Sequence, residues 1–243
     1  MNNSAFKNTV LRNIPTDSIE RLQLSPLRLQ REHVIESPGD EIKKLYFIEE
    51  GLGSMTTMFK DGSQVEVGLF GNEAVIGASA LIGTKRSLNN IYMQVPGHGY
   101  ISNIQAATQE FRRRDQFHDI VLRYVQAQLV QTAQTAGCNA KHEAEQRMAR
   151  WLLLCADRVY SDDLGLTHEF LGHMLGVRRA TVSTTAEELQ RRNYIDYRRG
   201  RIKILNRPAL EQVACECYRI VKNHLENYHQ IETVFGETLH GAA

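Results

Sequence analysis

Glycine is distributed unevenly along this chain. Ten of the 17 glycines stand at positions 39, 51, 53, 62, 68, 71, 77, 83, 97 and 99, and none lies between Ile104 and Ala136. Glycine weakens helices and serves turns, bulges and close backbone approaches, so this partition calls for two kinds of structure joined end to end. Between the early glycines lie short runs, "KKLYFIEEG", "GSMTTMF", "QVEVGLF" and "NIYMQV". Their β-branched and aromatic residues, bounded by turn signals, predict an antiparallel β domain over residues from about 20 to 110. Asp61-Gly62 in "FKDGSQV" predicts a two-residue hairpin turn.

The stretch from Ile104 to Ala136 also lacks proline and predicts a long helix. Phe117, Val121, Tyr124 and Gln128, extended by Ile120, Ala127 and Val130, form a moderately apolar stripe. That stripe can pack on the chain's own domains or on a second copy, and we read it as a dimer seam. "GCN" at 137–139 is expected to end the helix. A second helix, "EAEQRMARWLLLCADRVY", points Met148, Trp151, Leu152 and Cys155 inward.

Beyond it comes "LTHEFLGHMLGVRRATVSTTAEELQRRNYIDYRRGRIKILN". Thr167 can cap a short helix carrying Phe170, Leu171 and Met174 or Leu175 inward. Gly172 suits a close helix crossing, Gly176 the turn, and Val177 the angle between the helices. Val182, Ala186 and Leu189 share one face of the next helix, leaving Arg179, Ala180, Ser183, Thr184 and Glu187 on the other. This is helix-turn-helix patterning, in which the second helix offers its N-terminal residues to base edges. The arginine fork matches guanine O6 and N7. Tyr194–Tyr197 and Arg201–Leu205, joined at "RRG", predict a hairpin wing whose Arg198, Arg199 and Arg201 face phosphate. From Leu166 to Arg207 there are nine basic residues against four acidic ones, although the whole chain has a formal charge of +1. Such clustering is the footprint of a polyanionic partner.

In this order of parts the chain resembles the Crp/Fnr family of bacterial transcription regulators, most closely over about 140–207 in "LTHEFLGHMLGVRRATVS" and "YRRGRIKIL". The resemblance implies an α+β fold: an antiparallel β-roll or jelly-roll sensor of cyclic-nucleotide-binding type over 1–110, a dimerisation helix over 111–138, and a winged helix-turn-helix domain over 139–235. It places Arg179 as a base reader, with Arg178 and Thr181 on the DNA backbone. Thr167, His168, Ser183 and Thr184 complete the expected DNA-binding set with the wing arginines. Ala180 and Thr184 stand where the best-known members carry a glutamate and a second arginine, so no operator sequence carries over. Thr185 replaces a usual apolar residue. In the sensor, cyclic-AMP-binding members have Gly-Glu-Leu and Arg-Ser motifs. Here "GNEAVIGASALIGTKRSLNN" follows Gly77 with Ala78 and keeps Arg86-Ser87. Gly71, Gly77, Arg86 and Ser87 are the expected effector pocket, but cyclic AMP is not the expected effector. Without that glutamate the buried ribose hydroxyls would go unpaired, at about 1–3 kcal/mol each. The iron–sulfur branch uses N-terminal cysteines, and the first cysteine here is Cys138; no cofactor is expected.

Other chemistries find less support. His168 and His173 in "HEFLGH" are spaced i, i+5, which does not suit a zinc protease, and "HEAEQ" at 142–146 has no second histidine; both are read as helix surface. On a helix, Cys215 and Cys217 would face about 200° apart, so they are read as packing residues in a C-terminal helix with Leu210, Val213 and Ile220, and no metal is expected. His33 and His98 have no partner in sequence. No nucleophile–base pair or phosphate loop marks an enzyme. The N-terminus has no signal-peptide core, no apolar run suits a membrane helix, and the few cysteines suit a reducing compartment. The expectation is a soluble, cytoplasmic protein, with a frayed tail after Gly236. Its expected partners are duplex DNA with a pseudo-palindromic operator, a second copy of the chain, RNA polymerase and an unidentified small-molecule effector, with no membrane. The alternative is constitutive DNA binding, with the β domain serving as a protein-interaction module.

Overall fold

A computed structural model describes residues 3–230; the tail predicted after Gly236 lies outside the described residues. Two short helices, α1 (Thr9–Arg12) and α2 (Thr16–Leu22), lead into six strands: β1 (Ser25–Leu29), β2 (Val34–Glu36), β3 (Lys44–Met58), β4 (Gln64–Phe70), β5 (Val75–Ile76) and β6 (Asn90–Asn103). All pairings are antiparallel, in the order β1-β6-β3-β4, with β2 on β6 and β5 on β3. The runs "KKLYFIEEG" and "GSMTTMF" fuse into the single strand β3, bent by register shifts between Ile48 and Gly53. Glycine allows this crossing with β6. A Cβ at Gly97 would lie 1.8 Å from the Glu50 carbonyl oxygen, and one at Gly99 would lie 2.1 Å from that of Phe47. The Asp61-Gly62 hairpin forms, but its turn spans Phe59–Ser63 because Phe59 and Gly62 close the loop through backbone hydrogen bonds.

The predicted long helix is two helices, α3 (Ile104–Arg112) and α4 (Gln116–Lys141), separated where Arg114 takes φ +59°. Gly137 does not stop α4. A single mid-helix glycine costs only about 1 kcal/mol, and the helix ends instead at His142, whose backbone is extended. The stripe read as a dimer seam is occupied within the chain. Phe117, Ile120, Val121, Tyr124 and Ala127 are buried in its own core, so that assignment is corrected.

Next comes α5 (Ala144–Val159), in which every residue from Arg147 to Ala156 is buried. Met148, Trp151, Leu152 and Cys155 are inward as predicted, but so is the opposite face. The helix is wedged between the β domain and the C-terminal helices. There follow β7 (Asp163–Leu164), α6 (His168–Leu175), α7 (Arg179–Arg191), β8 (Ile195–Arg198), β9 (Arg201–Ile204), α8 (Arg207–Val213) and α9 (Cys217–Asn227). The wing is three-stranded, β7-β9-β8, and not the two-stranded hairpin expected, because Asp163 and Leu164 pair with Lys203 and Ile202. Among the described residues no helix is long and apolar enough to cross a membrane.

Candidate nucleic-acid interface

Thr167 caps α6, its hydroxyl accepting from the Phe170 N–H at 3.2 Å. Gly176 ends the helix at φ +60°, a conformation available to glycine at little cost. The two helices cross closely, since a Cβ on Gly172 would stand 3.0 Å from the Val177 carbonyl oxygen. Val182, Thr185, Ala186 and Leu189 form the buried face of α7. This leaves Arg178, Arg179, Ala180, Thr181 and Thr184 exposed around its first two turns. Among the described residues neither Arg178 nor Arg179 pairs with a carboxylate, and α7 turns its N-terminal N–H groups the same way. Unpaired cations at a helix N-terminus suit phosphate and base edges.

Two predicted contacts are placed differently. Ser183 is half-buried, its hydroxyl 2.9 Å from His168 Nδ1. His168 stacks on Tyr197 with centroids 4.1 Å apart, and its Nε2 is buried without a partner among the described residues. Burial, reinforced by the charge of Arg179, lowers the His168 pKa and favours the neutral ring. His168 therefore pins α6, α7 and the wing together, and is not the helix-surface residue expected.

At the wing tip Arg199 and Gly200 have φ of +50° and +76°, the two-residue turn that matches strand twist. Arg199 is exposed and makes no ion pair among the described residues. Arg198 pairs with Asp196 at 3.0 Å and Arg201 with Asp163 at 2.7 Å. Exposed pairs are worth about 0–1 kcal/mol, so both arginines can exchange a carboxylate for a phosphate at small cost. Sequence reading missed Asp163 because nothing in "SDDLG" marks a strand.

The four expected effector residues do not line one pocket. Gly71 lies in the β4–β5 turn, its N–H donating to Glu73 at 3.2 Å. Gly77 packs under Lys44 and Ile42. Arg86 turns outward and donates to the Gly39 carbonyl at 2.7 Å. Ser87 alone lines a cavity of about 230 Å³, with Glu36, Ile42, Lys44 and Tyr46 among its walls. Its hydroxyl donates to Glu36, and burial raises the Glu36 pKa against that hydrogen bond. A larger cavity of about 500 Å³ lies between α1, α5, α8 and α9, lined in part by Arg12, Glu73, Asp157 and Lys222.

A third grouping joins distant positions. Cys138, His142, Cys215 and Cys217 place one ligand-type atom each within 4.8 Å of one another. Cys215 precedes α9 and follows the extended Ala214, so the helical 200° does not apply. That expectation, with that of a surface His142, is corrected by this geometry.

Residues 146–213 match the Crp-like helix-turn-helix domain family. A global nitrogen regulator of Synechococcus elongatus is 24% identical over 202 residues, spanning 79% of this chain and 90% of that protein. Among solved structures, FixK2 from Bradyrhizobium japonicum has a TM-score of 0.68 at 15% identity, covering 79% of this chain and 98% of its own. A Crp/Fnr-family transcriptional regulator from Eubacterium rectale has a TM-score of 0.67 at 15% identity, covering 84% and 97%.

Proposed function

We propose that this chain, whose residues 146–213 match the Crp-like helix-turn-helix domain family and whose fold is like that of Crp/Fnr structures, is a DNA-binding transcription regulator that acts in the cytoplasm as a homodimer, reading a pseudo-palindromic operator with Arg179 and gripping phosphate with Arg178, Thr181 and the wing. The observation that carries this reading is the exposed cationic first turn of α7, with a wing tip whose Arg199 has no ion pair among the described residues. Two such helices related by a two-fold axis meet half-sites about one helical turn apart. The dimer forms on the outer face of α4, where Leu122, Leu129, Ala133, Ala136 and Ala140 are exposed at helical spacing.

The β domain senses a signal other than cyclic AMP. Ser87 is committed to the Glu36 carboxylate and Arg86 to a backbone carbonyl, so a cyclic phosphate would lose both partners and face an acid. The protein works by binding, not by catalysis. Arg179→Ala is expected to cost about 1–3 kcal/mol on the preferred duplex and to relax one base position. Arg199→Ala is expected to weaken all duplexes alike and reduce the salt slope by about 1. Fluorescence anisotropy on matched and scrambled duplexes separates them, and equal losses on both duplexes for Arg179→Ala would remove it as the reader.

A further inference from the structure

The cysteine–histidine grouping has no part in the DNA interface, yet it is built like a site. Cys138 lies in the last turns of α4 and His142 caps that helix, while Cys215 and Cys217 flank the start of α9. The three thiols are buried and reduced. Cys138 Sγ is 3.5 Å from Cys215 Sγ, and Cys217 Sγ is 3.5 Å from His142 Nδ1. A zinc–sulfur bond of about 2.3 Å sets tetrahedral neighbours about 3.8 Å apart, so the 4.8 Å envelope suits one ion. Three thiolates and an imidazole favour a soft or borderline cation over magnesium or calcium.

The surroundings support the same conclusion. Glu216 Oε1 is 3.3 Å from His142 Nε2, the carboxylate–histidine arrangement that orients a ligating ring through its other nitrogen. The Gln134 side-chain N–H donates to Cys217 Sγ at 3.1 Å, a bond that a thiolate strengthens. Arg147 and Arg150 of α5 are buried, and neither forms an ion pair with a carboxylate among the described residues. A divalent ion held by three thiolates and one neutral histidine carries a net charge of −1, which these guanidinium groups can balance.

We propose that Cys138, His142, Cys215 and Cys217 bind a single tetrahedral zinc-class ion that clamps the DNA-binding domain to the end of the long helix. The ion ties the α4–α5 junction to the α8–α9 junction, closing the whole winged-helix domain into one metal-locked loop. Binding releases the thiol protons to solvent and changes no oxidation state.

The test uses the full chain, purified in reductant. Elemental analysis should find about one zinc per chain. Replacement by Co²⁺ should give thiolate-to-cobalt charge transfer and the intense visible bands of tetrahedral cobalt. Both should be lost in Cys217→Ser. The exposed Glu216→Ala, which leaves the core intact, should weaken cobalt binding by about 10–100-fold, and a chelator should lower both the melting temperature and duplex affinity. A reduced chain that holds no zinc and gives no cobalt bands would overturn the site. So would a Cys138–Cys215 disulfide in freshly isolated metal-free protein, or iron with inorganic sulfide in chain isolated without oxygen. Metal retained with duplex affinity unchanged on chelation would overturn the clamp. The metal readouts use no DNA, so they stand or fall apart from the operator reading.

Discussion

Glu66 is the side chain on which the two halves of the molecule meet. It sits on β4, accepts from Ser54 of β3, and takes the Trp151 indole N–H of α5 at 2.7 Å. Gln94 of β6 donates to it at 3.0 Å, and the charges of Arg150 and Arg158 also reach it. Burial outweighs these partners and pushes its pKa up to about 7. The folded state therefore holds a proton that the unfolded chain has already released above about pH 4.5. Stability from this group is fully present below that pH and is lost as pH rises to about 7. Glu66→Gln should remove this dependence, so its stability relative to the parent should rise by about 3 kcal/mol from pH 4.5 to pH 8. Chemical denaturation at both pH values measures the difference, and parallel changes in the two proteins would refute it. Residues such as Gly176 and Val182 were legible in sequence because their roles depend on neighbours within a few positions. Glu66, Glu36 and His142 were not, since their partners lie at Trp151, Ser87 and Cys217 and no local pattern pairs them.

Among the elements, α4 carries the joint. One face buries Phe117, Ile120, Val121, Tyr124 and Ala127, with Tyr124 edge-on to Tyr228, which follows α9, at 5.7 Å. Helical period was readable in the sequence, but period does not say which body covers the stripe. A monomer's own C-terminal helix and a second copy impose the same spacing. The outer row, with Leu129 68% exposed, was obscured because small alanines continue it beyond its two leucines. Leu129→Glu should leave the fold intact and split the proposed dimer, because a charge would then face its own copy across a desolvated seam. Sedimentation should show mass falling towards one chain. An unchanged dimer would move the seam elsewhere on the molecule. The fused β3 strand shows the opposite case: its two runs were visible, but the bend joining them depends on Gly97 and Gly99 of β6, nearly fifty residues away.

At the scale of the whole molecule, the β domain and the winged-helix unit form one continuous core. Val65 of β4 stands where a Cβ on Gly176 would come within 2.9 Å of it, so the turn of the DNA-binding unit rests directly on the β domain. Buried Arg158 of α5 joins Glu73 at 2.9 Å and Gln131 of α4 at 3.1 Å, linking the β4–β5 turn, the long helix and the reader. As a dimer, this assembly would present two copies of α7 to successive major grooves. Selection of bound sequences from random duplexes by the purified full chain at physiological salt tests it most directly. An enriched pair of inverted half-sites centred about 10 base pairs apart is expected. Enrichment of a lone half-site, or of no sequence at all, would contradict it.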